Sequence, residues 1–138
     1  MNIAVYYYTR SGNTKKLADA VAAAVGVPAK ELHTPLQERA DVLFLGSSPY
    51  AFDVDPAVRK FIEENYEKIG TLICFGSSAS GMSTFKKIKA LAEEKGVTVP
   101  DAHFNCYGRF MMLHKDRPGP ADLAAAAAFA KEALAKLS

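Results

Sequence analysis

Tyr6-Tyr7-Tyr8-Thr9-Arg10-Ser11-Gly12-Asn13-Thr14 is the stretch that decides how this chain folds. It follows an apolar run, Ile3-Ala4-Val5, and precedes a helical pattern from Lys15 to Val25. It is therefore a strand-to-helix turn built of hydroxyls, an amide and one glycine. Such a turn suits an anion. Thr9, Ser11 and Thr14 offer hydroxyl donors, and Gly12 lets the backbone come close. The first free N–H groups of the helix point the same way, with the positive end of its dipole behind them. The turn lacks the lysine and spacing of GxxxxGKS/T and the glycines of GxGxxG, so it is neither a nucleoside-triphosphate loop nor a dinucleotide turn. A hydroxyl-rich nest without lysine suits a phosphate monoester. An ordinary helix cap is the competing reading, since Ser, Thr and Asn favour caps.

Outward from that turn, the chain alternates apolar runs with helical patterns. Asn2 to Tyr8 is apolar on both faces, as a central parallel strand must be. Asn13 to Val25 is a helix with Leu17, Val21 and Ala24 on one side, ended by Gly26-Val27-Pro28. Ala29 to Leu32 reads as a short edge strand, and His33 to Ala40 as a loop or single turn. Asp41 to Gly46 is the next strand, and Ser47 to Val54 a loop. Asp55-Pro56 reads as N-cap and first helical residue of a helix to about Lys68 that buries Val58, Phe61, Ile62 and Ile69. Thr71 to Phe75 is a strand, and Gly76 to Gly81 a hydroxyl-rich loop. A helix then runs from about Ser83 to a stop at Gly96. Val97 to Val99 and Ala102 to Tyr107 form the last strand region, and Gly108 to Gly119 a loop. The final helix is expected to bury Leu123, Ala127, Ala130, Leu134 and Leu137.

The 138 residues suffice for one domain, 1–138. The net charge of +2 is too small and too mixed to argue for nucleic acid. No apolar run approaches the length of a membrane span, and no signal peptide precedes the first strand. Cys74 and Cys106 show no CxxC or metal spacing and read as buried thiols in a reducing compartment. A cytoplasmic location is the expectation. His33, His103 and His114 lack ligand spacing, so no metal is expected.

Alternating strands and helices mean right-handed crossovers and a parallel sheet. The expected fold class is α/β: a doubly wound five-stranded parallel sheet, order 2-1-3-4-5, with helices on both faces. Ligands of such sheets bind outside the carboxyl ends of the strands, where the order changes direction. That edge gathers the loops Thr9–Thr14, Ser47–Asp55 and Gly76–Ser83. The first suits a phosphate. The second carries Tyr50 and Phe52. The third is small enough to let a flat ring approach the backbone.

With these loops the chain resembles flavodoxins and small flavodoxin-like proteins of the short-chain type. Thr9-Arg10-Ser11-Gly12-Asn13-Thr14 matches their T-x-S-G-N-T phosphate loop, and flavodoxin is itself the type example of this strand order with FMN at the switch point. Gly108-Arg109-Phe110 and His114-Lys115-Asp116-Arg117-Pro118 are similar to compact bacterial members. The resemblance implies FMN as cofactor and a cofactor-binding set drawn from the three loops. It comprises Thr9, Arg10, Ser11, Gly12, Asn13 and Thr14; then Ser48, Pro49, Tyr50, Ala51 and Phe52; then Gly76, Ser77, Ser78, Ala79, Ser80 and Gly81. Tyr50 or Phe52 is the aromatic for the flavin ring. Ser77, Ser78 and Ser80 are candidate donors to its carbonyls. Arg10 is expected to face solvent or to edge the phosphate. Gly81 or Met82 stands where the family places a tyrosine, and the third loop lacks the family's acidic residue.

The function this implies is electron transfer through non-covalent FMN, to or from a redox partner protein, with no catalytic side chain. Two alternatives stand beside it: an NAD(P)H-dependent FMN or quinone reductase, and a flavin-free scaffold of the same fold. A phosphoacceptor domain would need an acidic pair where the chain has Tyr7-Tyr8. A cysteine phosphatase would need C-x5-R, but Ser80 and Met112 stand at that spacing after Cys74 and Cys106.

Overall fold

The computed structural model describes residues 1–109 and 114–137. Five strands alternate with four α-helices. They are β1 (Ile3–Tyr7), α1 (Asn13–Val25), β2 (Ala29–Glu31), β3 (Ala40–Ser47), α2 (Pro56–Asn65), β4 (Ile69–Ser78), α3 (Phe85–Glu94), β5 (Phe104–Tyr107) and α4 (Pro120–Ala135). All four strand pairings are parallel, and the sheet order is β2-β1-β3-β4-β5. This is the arrangement expected from the alternation of apolar runs and helical patterns.

Side-chain alternation along the central strands splits the interior in two. Tyr6, Leu43, Leu45, Leu72 and Cys74 face α2 and α3, where Val58, Phe61, Ile62, Ile88 and Ala92 close the layer. Val5, Tyr7, Val42, Phe44, Ile73 and Phe75 face α1 and α4. Each central strand is covered on both faces, which is why its sequence is a nearly unbroken apolar run.

Several boundaries differ from the expectation. Gly76, Ser77 and Ser78 are strand, not loop: they continue β4 in register with Asn105, Cys106 and Tyr107, and Gly76 also pairs with Ser47. Partners in β5, and for Gly76 in β3 as well, give these residues a ladder that their composition does not advertise. Gly76 is required there, since a Cβ would be driven into the Ser47 carbonyl. The last strand is shorter than expected. Only Phe104–Tyr107 forms β5, and Thr98 touches the sheet through one isolated parallel bridge to Thr71. The helix after Asp55 turns 3-10 at Tyr66–Lys68. The last helix buries Ala126, Ala130 and Ala133, with Leu123, Ala127 and Leu134 only half-covered and Leu137 exposed. Methyl-sized side chains let α4 lie close against Ala18 and Ala22 of α1. The segment expected as a loop, Gly108 to Gly119, includes Phe110 and Met112, which lie outside the described residues.

Because every strand is parallel, α1, α2 and α3 all begin at the edge where β1, β3 and β4 end. Their first turns carry Lys15, Lys16, Arg59, Lys86 and Lys87 and no acid. The last turns of α2 and α3 carry Glu63, Glu64, Glu93 and Glu94 and no cation. Both placements oppose the helix macrodipole, which favours acids first and bases last. The outcome is a basic strand-end edge on a nearly neutral chain.

Candidate functional site

The turn after β1 folds on itself. Gly12 N–H donates to Thr9 Oγ1 at 2.8 Å, and Asn13 N–H to Ser11 Oγ at 3.3 Å. Gly12 takes φ +90°, a left-handed conformation open to glycine at little cost. As N-cap it has no side chain to offer, and α1 has no side-chain cap. Among the described residues, no acceptor meets the N–H groups of Thr14 and Lys15. The hydroxyls of this turn take the N–H groups of Gly12 and Asn13 and stop short of those of Thr14 and Lys15. They leave a positive helix end with free donors at the point where the sheet order reverses.

Thr14 ties the three strand-end loops together. Its side chain is fully buried, and its Oγ1 lies 2.8 Å from Ser48 Oγ and 3.3 Å from Ser77 Oγ. Ser48 and Ser77 are themselves 3.3 Å apart. So Thr14 forms the base of the turn, while Ser11 and Arg10 lie on its exposed side. Asn13 is also buried and donates from Nδ2 to the Arg109 carbonyl at 2.8 Å, joining the first loop to the segment after β5.

The second loop turns back on itself at Tyr50–Asp53. Tyr50 N–H donates to Asp53 O at 2.9 Å and Asp53 N–H to Tyr50 O at 3.0 Å. The two residues between, Ala51 and Phe52, have φ of 51° and 62°. Two consecutive non-glycine residues in the left-handed region are costly, and such strain gathers where position serves a function. The turn holds Phe52 77% exposed and Tyr50 47% exposed. Pro49, which precedes them, is half-buried.

Arg10 does not run free into solvent. It forms an ion pair with Asp55 at 2.9 Å, and its guanidinium lies 4.0 Å from the centroid of the Tyr50 ring. Asp55 is buried and also accepts from Ala57 N–H at 3.0 Å, capping α2 as its sequence predicts. The first loop, the tyrosine and the helix cap are thereby coupled.

At the end of β4, Ser78 Oγ is buried and has no hydrogen-bond partner among the described residues. Ala79 is half-buried, and Ser80 and Gly81 are exposed. A Cβ on Gly81 would sit 3.2 Å from the Tyr107 ring. Tyr107, from the end of β5, in turn stacks on His114 at 4.2 Å. The aromatic beside this loop thus comes from another strand, which no local motif could have revealed.

Burial pushes the Cys74 thiol up to about 12 and, less deeply, Cys106 up to about 11, with Asp122 adding to the second shift. Neither is a nucleophile at neutral pH. Among the described residues no group of three His, Cys, Asp or Glu is placed to hold a metal, and no helix is long and apolar enough to cross a membrane.

The fold agrees with what the chain is similar to. No curated protein matches it in sequence. A solved flavodoxin from the domain Archaea superposes with a TM-score of 0.80 at 23% identity, over 99% of this chain and 98% of that one. A short-chain flavodoxin associated with a non-canonical PDU bacterial microcompartment gives 0.73 at 18% identity, covering all of both chains. The flavodiiron core Flv1 of Synechocystis sp. PCC6803 gives 0.74 at 18% identity, with this chain matching 37% of it. Residues 4–112 match the flavodoxin domain family, and the chain belongs to that family.

Proposed function

We propose that residues 1–138 act as one flavodoxin-like domain that binds FMN non-covalently at the strand-end edge and exchanges electrons with a redox partner protein. The observation that carries this reading is the uncapped start of α1. Among the described residues, the Thr14 and Lys15 N–H groups, with the Ser11 hydroxyl beside them, are donors without acceptors at the switch point of the sheet. A terminal phosphate supplies acceptors and negative charge together. The partnerless Ser78 hydroxyl is a further donor suited to a polar ring edge. The residues present thus fit a phosphate-bearing ring compound.

In this reading the Thr9–Thr14 turn holds the phosphate, and the Thr14–Ser48–Ser77 hydroxyls keep the three loops in register. Tyr50, with Arg10 against its ring, flanks the isoalloxazine. FMN supplies the redox chemistry, and the chain binds, orients and sets the electrostatic environment. Tyr107 takes up room beside Gly81, so the space that a nicotinamide would need in the reductase reading is partly filled by the protein itself.

A titration tests the reading. FMN should bind with quenched fluorescence, and riboflavin, lacking the phosphate, far more weakly. Equal affinity for the two would remove the phosphate site from the argument. Bleaching of the bound flavin by NADPH alone would favour the reductase.

A further inference from the structure

The turn Tyr50–Asp53 reaches outward between the starts of α2 and α3. Asp53 lies 3.2 Å from Lys87 Nζ and 4.0 Å from Arg59 Nη2, so both helix starts converge on this turn. Lys86, the residue before Lys87, is exposed and makes no ion pair among the described residues. Arg59 and Lys87 thus share one carboxylate, and with Lys86 they sit in first turns where the helix dipole disfavours them. Phe52, next to Asp53 in the turn, stands 77% exposed, on backbone that two left-handed residues hold in a costly conformation.

Resting on the electron-carrier reading above, we propose that Arg59, Lys86 and Lys87 around Phe52 form the docking surface for an acidic redox protein. An exposed aromatic anchor ringed by charge is the usual anatomy of a protein-binding hot spot. The excess positive charge selects a partner that presents carboxylates around an apolar recess. A small anion has no use for an outward-facing phenyl ring on a convex turn. Nucleic acid fits poorly as well, because the far ends of the same helices carry Glu63, Glu64, Glu93 and Glu94. The surface adjoins Tyr50, so a partner seated on Phe52 lies next to the proposed flavin.

The test uses two protein probes of opposite charge, an acidic rubredoxin and a basic cytochrome c. Each is titrated calorimetrically into the full chain, with and without FMN, at low and at physiological salt. The acidic probe should bind more tightly at low salt and weaken as salt rises, and the basic probe should not bind. Lys86→Glu with Lys87→Glu should weaken the acidic probe at least about tenfold, and far more than it weakens FMN. Phe52→Ala should weaken the acidic probe without altering the salt dependence. Salt-independent binding, preference for the basic probe, or charge reversal without effect on the acidic probe overturns the proposal. So does a loss of NADPH affinity on charge reversal with the protein affinity intact. The FMN titration is read separately. FMN binding without capture of the acidic probe overturns the docking surface alone. Salt-sensitive capture by a chain that ignores FMN overturns the cofactor reading instead.

Discussion

Arg10 and Asp55 lie 45 positions apart and meet through two hydrogen bonds, Nε to Oδ2 at 2.9 Å and Nη2 to Oδ1 at 3.3 Å. The carboxylate is buried and the guanidinium half-exposed. Asp55 therefore serves two elements at once, the cap of α2 and the loop after β1. Asp55→Ala should lower stability by about 1–2 kcal/mol, the usual cost of a lost N-cap. Arg10→Ala should cost less, because its charge is screened by solvent. Urea denaturation of both variants checks the ranking. Equal losses would mean that the ion pair, rather than the cap, holds this corner.

Ser78 gives a prediction of opposite sign in two states. A buried hydroxyl without a partner costs about 1–3 kcal/mol in desolvation. Ser78→Ala should therefore stabilise the flavin-free chain. The same change should weaken FMN, since it removes a donor from the third loop. Paired urea and FMN titrations would show it. A destabilised flavin-free variant would reveal a partner for this hydroxyl.

Redox poise should follow charge. Reduction places negative charge on a flavin, and nearby carboxylates oppose it. Here the third loop has none, and the rim carries Arg59, Lys86 and Lys87. As a scale, one unit charge about 8 Å away at an effective dielectric of about 20 is worth roughly 2 kcal/mol before salt screening. The second one-electron potential should be less negative than in acidic flavodoxins, and Lys86→Glu with Lys87→Glu should lower it. A dithionite titration with a potential-reporting dye measures it. A potential as low as that of acidic flavodoxins would show that loop geometry outweighs charge.

Acid stability should reflect three carboxylates held below their ordinary range. The Arg117 side chain holds Asp122 down, the Val54 N–H and then Lys87 hold Asp53 down, and the Asn2 N–H holds Asp41 down. A depressed folded-state pKa means that the unfolded chain binds protons first as pH falls. The contribution is complete above the ordinary carboxylate range and is lost as pH falls through the depressed values. Asp122→Asn should flatten that acid limb in urea midpoints measured against pH. An unchanged slope would assign the limb to the other two groups.

The sequence by itself determined the strand and helix alternation, the parallel sheet and its order. Periodicity and chain direction are local signals, and crossover handedness does the rest. It also placed α1 from Asn13 to Val25, whose apolar period and Gly26 stop are local, and read Asp55-Pro56 as a helix start, because that cap is decided within a few residues. Tertiary structure alone decided that Gly76–Ser78 are strand, since their ladder partners stand at Ser47 and Asn105–Tyr107. It also decided that Thr14 is buried under Ser48 and Ser77, residues 34 and 63 positions away. Arg10 turned to Asp55, and Tyr107 came to lie against Gly81, for the same reason. A side chain's partner is set by which strands become neighbours, and that proximity leaves no periodic trace in the chain.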